Sequence, residues 1–469
     1  MTSAPISELC RITVYGPNGR VDLAVPLSTT VSALLPTLLE QVVRDEEQPV
    51  EVRENGSWVL QQLGGAPLDA NGTPETLGWL DGEQFHLVPA DDPLPELDFD
   101  DIADGMATAI NRRSDRWNAE INHRFFLGVC AAVLVTIALG LFLFTSQVAA
   151  SITAGAFAVV LVASSVVVSH TRGERALASI LGFAGCGYAG ICGAVAVAGP
   201  AGASGLELDA VLVGALVVLV VSAVPFVLQR TFMPKVTTAT FGVAGIVALG
   251  AILSLGLRSG MALTVPQSSA LLATVFVFAM VFVAKIATRF ARLRGPQLPR
   301  TADELQVDLA PAPAAEVVER TGAANEYLSM LAVGAALVLL VSFHYLLAEP
   351  GWVVQLLAGL LCGLILLRTR EFLDVAQRLA LASAGTYGAI LLVISLLTGT
   401  ELTTLIIGLV LLMLIMAFLV MAALRAAPRR LLPIWPHLAN ILETCTALAV
   451  IPFLLQLLGV YAWARGLAG

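Results

Sequence analysis

Ionisable side chains in apolar surroundings are the natural starting point for any chemistry in this 469-residue chain. The densest group lies near the C-terminus, where His437, Asn440, Glu443 and Thr444 follow one another closely. An imidazole near a carboxylate provides the residue types of a proton relay. On a helix, His437, Asn440 and Thr444 share one face and Glu443 points elsewhere, so buried polar contacts near a membrane interface are the simpler interpretation.

Nucleotide, metal and disulfide chemistry are not indicated elsewhere. Neither of the two lysines, Lys235 and Lys285, follows the glycine-rich loop that a P-loop ATPase requires. Five of the six cysteines lie in apolar stretches, where a small polarisable side chain packs well. Cys186 and Cys192 point about 120° apart around a helix, which disfavours a shared metal or disulfide. The sequence predicts no catalytic residue, no cofactor and no metal site.

Arg124 divides the sequence into two parts of different composition. Residues 1–104 carry 19 Asp and Glu against 4 Arg, a formal charge of −15, which makes nucleic acid an unfavourable partner. After Arg124 the chain is so apolar that the whole sequence reaches 57% apolar residues and a mean hydropathy of +0.84. Because a bilayer core of about 30 Å needs about 20 helical residues, the second part predicts an α-helical polytopic membrane body.

The membrane body contains about eleven apolar runs that are candidate transmembrane helices. They are residues 125–144, 148–168, 177–198, 209–228, 238–257, 267–286, 327–347, 351–367, 379–397, 402–424 and 437–460. Arg and Lys concentrate in every second loop, whereas the loops between carry acids such as Glu207 and Glu349 and a single arginine, Arg258. The positive-inside rule then predicts a cytoplasmic N-terminus and, with an odd number of spans, a periplasmic C-terminus.

The acidic N-terminal segment predicts an α+β domain of the β-grasp type. Turn residues separate two alternating strands, and apolar residues at helical spacing follow a Ser or Thr that can cap a helix. The predicted elements are strands at 11–16 and 21–25, a helix from Val31 to Val42 capped by Ser28 or Thr29, and strands at 57–63 and 84–88.

In layout this segment resembles ubiquitin, including the Thr-Leu-Gly-Trp-Leu-Asp-Gly-Glu passage at 76–83 that precedes the last strand. The chain continues beyond Val88 without a free diglycine end, so the resemblance does not imply conjugation. We interpret residues 1–90 as a ubiquitin-like cytoplasmic docking domain, and a plain solubility domain is the alternative.

Residues 91–124 join the two parts. Their beginning is rich in acids and has two prolines, which is typical of extended, solvated chain. An apolar stripe flanked by arginines follows and predicts a basic amphipathic helix. The residues of this candidate partner or membrane interface are Ile102, Met106, Ile110, Arg112, Arg113, Arg116 and Trp117. The alternative is a basic cluster that only sets topology.

Small residues recur every four positions in the third span, which permits close approach of a neighbouring helix. The candidate packing residues are Gly182, Cys186, Gly190 and Ala194. Such stripes are common in polytopic proteins, so packing within the bundle is favoured over a specific interface.

A ubiquitin-like head, a charged linker, and an eleven-span domain at 125–469 with a cytoplasmic loop at 287–326 together resemble the EccD family of the actinobacterial type VII (ESX) secretion machinery. The resemblance covers the whole chain and depends on architecture more than on a short motif. It implies a non-enzymatic scaffold subunit of the bacterial inner membrane that pairs with a second copy and faces membrane lipids. It also implies EccB, EccC and EccE as partners, with the EccC ATPase docked on the head.

Two other function classes are weighed against this one. A secondary transporter for a small solute requires a charged midplane site and internal repeat symmetry, and neither is clear in the sequence. A membrane sensor with a cytoplasmic relay domain requires a ligand that changes the contacts of the head.

Overall fold

The structure is a computed structural model that describes residues 9–17, 19–42, 57–91, 103, 106, 117, 119–232, 239–293, 313–349, 351–398, 401–424 and 434–467. The chain divides into two compact units, Met1–Asn118 and Ala119–Gly469. The helix that begins the second unit starts at Ala119, so Arg124 lies in its second turn.

The first unit contains a four-stranded sheet and one helix. The elements are β1 (Leu9–Gly16), β2 (Gly19–Pro26), α1 (Val31–Val42), β3 (Trp58–Gln61) and β4 (Glu83–Pro89). The strand order is β2-β1-β4-β3, with β1 and β4 parallel and the outer pairs antiparallel. This confirms the predicted ubiquitin-like β-grasp.

Strand alternation builds the core of this head. Ile12, Val14, Phe85 and Leu87 all face α1 and are at most 2% exposed, and the Trp79 ring lies 4.5 Å from that of Phe85. The residues between them on the same strands form the opposite, more exposed sheet face.

The N-terminus of α1 is satisfied by a loop and not by the cap that the sequence predicted. The amide N–H groups of Val31 and Ser32 each donate over 2.9 Å, to the carbonyls of Gly72 and Ala70. The loop therefore takes the first two donors, and Ser28 and Thr29 are not needed for them.

In the second unit, the described residues contain 11 helices long and apolar enough to cross a membrane, as predicted. The helices are α2 (Ala119–Leu141), α3 (Gln147–Arg172), α4 (Arg175–Ser204), α5 (Leu208–Phe232), α6 (Ala239–Gly260), α7 (Val265–Ala279), α8 (Val283–Phe290), α9 (Ala314–Leu346), α10 (Trp352–Arg368), α11 (Val375–Leu397), α12 (Leu402–Leu424), α13 (Ile434–Leu457) and α14 (Val460–Leu467). A short 3₁₀ turn joins α7 to α8 into one span, and another, Thr369–Glu371, extends α10. The eight-residue α14 is too short to be a span, so these 13 helices form 11 spans.

Side-chain bonds between helices define two ends of this bundle. At the end that contains Ala119, Asn325 Nδ2 donates to Asp374 Oδ2 over 3.2 Å, joining α9 to the start of α11. At the end that contains Leu141, Gln267 Nε2 donates to the Leu457 carbonyl over 2.9 Å, joining α7 to α13. We call these the Ala119 end and the Leu141 end.

Helix α6 packs on both α5 and α9 and so joins the first half of the bundle to the second. Its contact with α9 has a regular register in which a glycine of one helix faces a larger side chain of the other at every fourth residue. The pairs are Gly242 with Met330, Ile246 with Gly334, and Gly250 with Val338. Because both numbers rise together, α6 and α9 run parallel, as expected of the fifth and seventh spans.

Three spans lie at the edge of the bundle. None of the most apolar window of α12 is buried, and only 6% of the corresponding windows of α2 and α13 is buried. Leucine, isoleucine and methionine cover all sides of α12, which suits contact with acyl chains.

Candidate functional site

Among the described residues, four ion pairs join parts of the body that are more than four residues apart in the chain, and all four lie at the Ala119 end. Two are exposed and long, at 3.8 Å between His123 and Glu174 and 3.6 Å between Arg175 and Glu326. Exposed pairs of this kind contribute little free energy. The other two pairs share the carboxylate of Glu443.

Glu443 of α13 accepts hydrogen bonds from two arginines at the end of the eighth span. Arg368 Nη1 lies 2.9 Å from Glu443 Oε1, and Arg370 Nη2 lies 2.8 Å from Oε2. Arg370 also donates to the Asn440 side chain, and Arg368 Nη2 lies 3.3 Å from Glu371 Oε2. We call Arg368, Arg370, Glu371, Asn440 and Glu443 the Glu443 cluster.

Two members of the Glu443 cluster are largely withdrawn from solvent, whereas Glu371 is 51% exposed. Only 15% of the Arg368 side chain and 14% of the Glu443 side chain are exposed. Charges at this burial persist when they are paired, because their mutual attraction offsets the cost of removing both from water. Two arginines and two glutamates leave no formal net charge, and their contacts join α13 to α10 and its 3₁₀ turn.

A cavity of about 390 Å³ adjoins the Glu443 cluster. Its walls combine apolar residues such as Val277 and Phe278 with Thr444 and every member of the cluster except Arg370. The Nε–H of Arg368 is buried and has no hydrogen-bond partner among the described residues. A buried donor without a partner is costly, so this N–H is the weakest point of the cluster.

The helical-face argument from the sequence was wrong about Glu443. Arg370 contacts both Asn440 and Glu443, and both residues line the same cavity as Thr444. Residues three apart on a helix differ by only about 60° in direction, so Asn440 and Glu443 are neighbours. The predicted buried polar contact exists, but its partners Arg368 and Arg370 were read only as loop charges.

The small-residue stripe of α4 contacts three different helices. A Cβ added at Gly182 would lie 3.0 Å from Ser165 Oγ of α3 and 3.0 Å from Thr240 Cγ2 of α6. One added at Gly190 would lie 3.0 Å from Val218 Cγ2 of α5. Cys186 is 3% exposed and packs with α6, and Ala194 is partly buried beside Val195. The contribution of the stripe to stability stays a prediction.

Most of the candidate linker interface lies outside the described residues. This applies to Ile102, Ile110, Arg112, Arg113 and Arg116. The two described members, Met106 and Trp117, are 59% and 63% exposed. Their role in binding a partner or a membrane stays a prediction.

The described residues include no group of three or more His, Cys, Asp or Glu side chains that could hold a metal ion. All six cysteines are free. The pKa of the Cys10 thiol in the head is raised above its ordinary value, first by burial and then by the nearby charges of Asp81 and Glu83.

A family model described as the EccD-like transmembrane domain matches residues 122–467, most of the chain. The chain belongs to the EccD-like family. A second model, that of YukD from the WXG100 protein secretion system, matches residues 9–87, which are the β-grasp head. As an EccD-like protein, the chain is a membrane component of a type VII secretion system.

Two solved structures have the EccD-like fold of this chain. Protomer 1 of the ESX-3 core complex is 19% identical with a TM-score of 0.54, covering 97% of this chain and 100% of that one. A chain of the MycP5-free ESX-5 inner membrane complex in state II is 21% identical with a TM-score of 0.53, covering 89% and 100%. No curated protein sequence matches the chain.

Proposed function

We propose that this EccD-like chain is a non-enzymatic scaffold subunit of a type VII (ESX) secretion complex. It pairs with a second copy in the inner membrane and docks the ATPase of the complex through its cytoplasmic head. The observation that carries the proposal is the union, in one chain, of a YukD-like head at 9–87 with an EccD-like body at 122–467.

Charge distribution supports a cytoplasmic location for the head and for the Ala119 end. Described arginines concentrate at this end, as in Arg172, Arg175 and Arg289, whereas the Leu141 end has Arg258 and the terminal Arg465. Positive charge is retained on the cytoplasmic side during insertion. With 11 spans, the C-terminus then lies in the periplasm.

In this arrangement the chain has three parts. We assign residues 1–90 to the docking domain, 91–124 to the linker with its proposed basic amphipathic helix, and 125–469 to the span domain. The segment predicted as a loop at 287–326 includes the end of α8 and the start of α9, and it shares the cytoplasmic side. The formal charge of −15 on residues 1–104 favours a partner with a basic surface. We assign this partner to the EccC ATPase, and EccB and EccE to the membrane-level contacts.

Pairing with a second copy is supported by the spans that the chain leaves uncovered. At most 6% of the most apolar window of α2, α12 or α13 is fully buried within one chain. Lipids cover whatever part of this surface a second copy does not.

The docking proposal is tested by deleting residues 1–90 from a tagged chain and isolating the complex in mild detergent. The truncated chain should still insert and elute as a single species, but it should no longer retain the ATPase. Retention of the ATPase at the level of the full chain would contradict the docking role.

Pairing is tested separately, by co-expressing full-length copies with two different tags. One tag should recover the other copy from the full chain and equally from the chain without residues 1–90. Failure to recover it from either would refute pairing and leave the docking result intact.

The transporter and sensor alternatives gain no support from the charged site. The Glu443 cluster is neutral, is paired within itself and lies toward one end of the spans.

A further inference from the structure

A second cavity of about 390 Å³ lies at the Leu141 end, between α6, α7 and α9. Polar groups line the part near the end of the bundle, and apolar side chains line the part about two to three helical turns farther in. The polar members are Arg258, Ser254, Ser268, Ser269, Ser342 and Tyr345. We call this space the Arg258 cavity.

The donors that line the Arg258 cavity are largely unsatisfied. Ser342 is 3% exposed, and its Oγ is buried with no hydrogen-bond partner in the described structure. The hydroxyls of Ser254, Ser269 and Tyr345 likewise form no hydrogen bond with a described residue. Buried polar groups almost always have partners, so the orphan Ser342 hydroxyl, with three further unpaired hydroxyls lining the same space, indicates a missing acceptor.

Arg258 supplies the charge of this cavity. No described carboxylate lies within ion-pair distance of its guanidinium, although Glu207 and Glu349 belong to loops at the same end. A guanidinium beside hydroxyl donors is the donor set that proteins use for phosphate, because its planar fork binds two oxygens at once. The missing acceptor is therefore an anion.

The apolar part of the cavity indicates which kind of molecule carries that anion. Val247, Ala251 and Val338 extend the space toward the middle of the bundle, where no water-soluble phosphate gains any contact. An acyl chain fits that wall, and the interfacial position of Arg258 and Tyr345 matches the depth of a headgroup.

We propose that the Arg258 cavity binds an anionic phospholipid from the leaflet at the Leu141 end. Arg258 binds the phosphate, Ser342 and Tyr345 donate to the headgroup oxygens, and Val247 and Val338 contact the first carbons of one acyl chain. The site does not depend on the secretion role and is formed within a single chain.

The experiment uses the full chain purified in mild detergent and native mass spectrometry with added phosphatidylglycerol or phosphatidylcholine. Wild-type protein should retain phosphatidylglycerol at least fivefold more than phosphatidylcholine. Arg258→Gln should lose that preference, and the matched control Arg465→Gln, which neutralises the other arginine of this end, should keep it. Equal retention by Arg258→Gln and wild type would overturn the proposal.

Three further measurements test the same proposal. Inorganic phosphate alone should give no thermal protection; protection equal to that of phosphatidylglycerol would mean an aqueous anion and overturn the lipid assignment. Ser342→Ala removes an orphan hydroxyl, so it should leave the fold intact while lowering lipid retention.

If Arg258→Gln is not monodisperse, a photoactivatable phosphatidylglycerol on wild-type protein should label α6 or α9, and labelling confined to α2 and α12 would refute the site.

Discussion

Arg368 Nη1 and Glu443 Oε1 lie 2.9 Å apart although 75 residues separate them in the chain. The contact joins the eighth span to the eleventh. It adds a charged contact to the apolar packing of α13 on α10, in which Val450 and Leu454 are buried.

Glu443→Gln should destabilise the protein by about 3 kcal/mol, because it leaves two largely buried guanidiniums without their shared anion. The matched control is Glu371→Gln, which alters a 51% exposed partner of the same Arg368 and should cost less than about 1 kcal/mol. Thermal unfolding of the purified chain in detergent compares the two. Equal midpoints for both variants would show that the Glu443 cluster does not stabilise the bundle.

Gly250→Ala should destabilise the crossing of α6 and α9 by about 1–3 kcal/mol, because overpacking forces a shift. The added Cβ would lie 2.7 and 3.0 Å from the two Cγ atoms of Val338 but 3.5 Å from its Cβ. Val338→Ala should therefore abolish the cost when the two changes are combined. Gly256→Ala on the same helix meets nothing within 4 Å and should be neutral or slightly stabilising. A loss of stability for Gly256→Ala as large as that for Gly250→Ala would contradict the register of α6 and α9.

Gly182→Ala should lower the thermal midpoint, and Gly187→Ala on the same helix should not. The new methyl at Gly182 would press on Ser165 Oγ, which already donates to the Ala178 carbonyl over 2.6 Å, whereas the one at Gly187 has open space. The pair tests the small-residue stripe directly. A larger fall in the thermal midpoint for Gly187→Ala than for Gly182→Ala would show that the stripe does not stabilise helix packing.

Leu60→Ala should unfold or loosen the head at a cost of about 2–5 kcal/mol, since Leu60 is 0% exposed in the core of the sheet. Limited proteolysis of the full chain should then cut the head and spare the span domain. Leu63→Ala, at a 66% exposed position, is the control and should change little. If docking requires the folded head, retention of the ATPase should fall with Leu60→Ala only.

Membrane orientation can be read with single cysteines in a cysteine-free chain. Ser259→Cys at the Leu141 end should react with a membrane-impermeant maleimide in spheroplasts, whereas Thr171→Cys at the Ala119 end should react only after lysis. Both positions are exposed, so the difference reports the side of the membrane. The reverse pattern would invert the proposed topology.

The spans and the head were predictable because their signals are local. Runs of apolar residues encode each transmembrane helix, and alternation around Gly19 encodes the hairpin of β1 and β2. Neither requires knowledge of distant neighbours, and both agree with the structure to within a few residues at most ends.

Contacts between distant helices were not predictable in the same way. Nothing in the apolar pattern of α6 indicates that Gly250 meets Val338 of α9, since every face of such a helix is apolar. The two partners of Glu443 could not be predicted for a related reason. Arg368 and Arg370 lie just after an apolar span, where arginines commonly set membrane orientation, so the sequence does not indicate that they bind Glu443.

No residue in the most apolar window of α12 is fully buried, yet the bundle depends on the presence of this helix through parity. Glu443 meets Arg368 only if α13 enters the membrane at the end where α10 finishes. One crossing fewer between α11 and α13 would turn α13 upside down and carry Glu443 to the far side of the bundle. The tenth span therefore sets the orientation of the eleventh. Its apolar residues can be exchanged for other apolar residues, but the helix must still cross the membrane once.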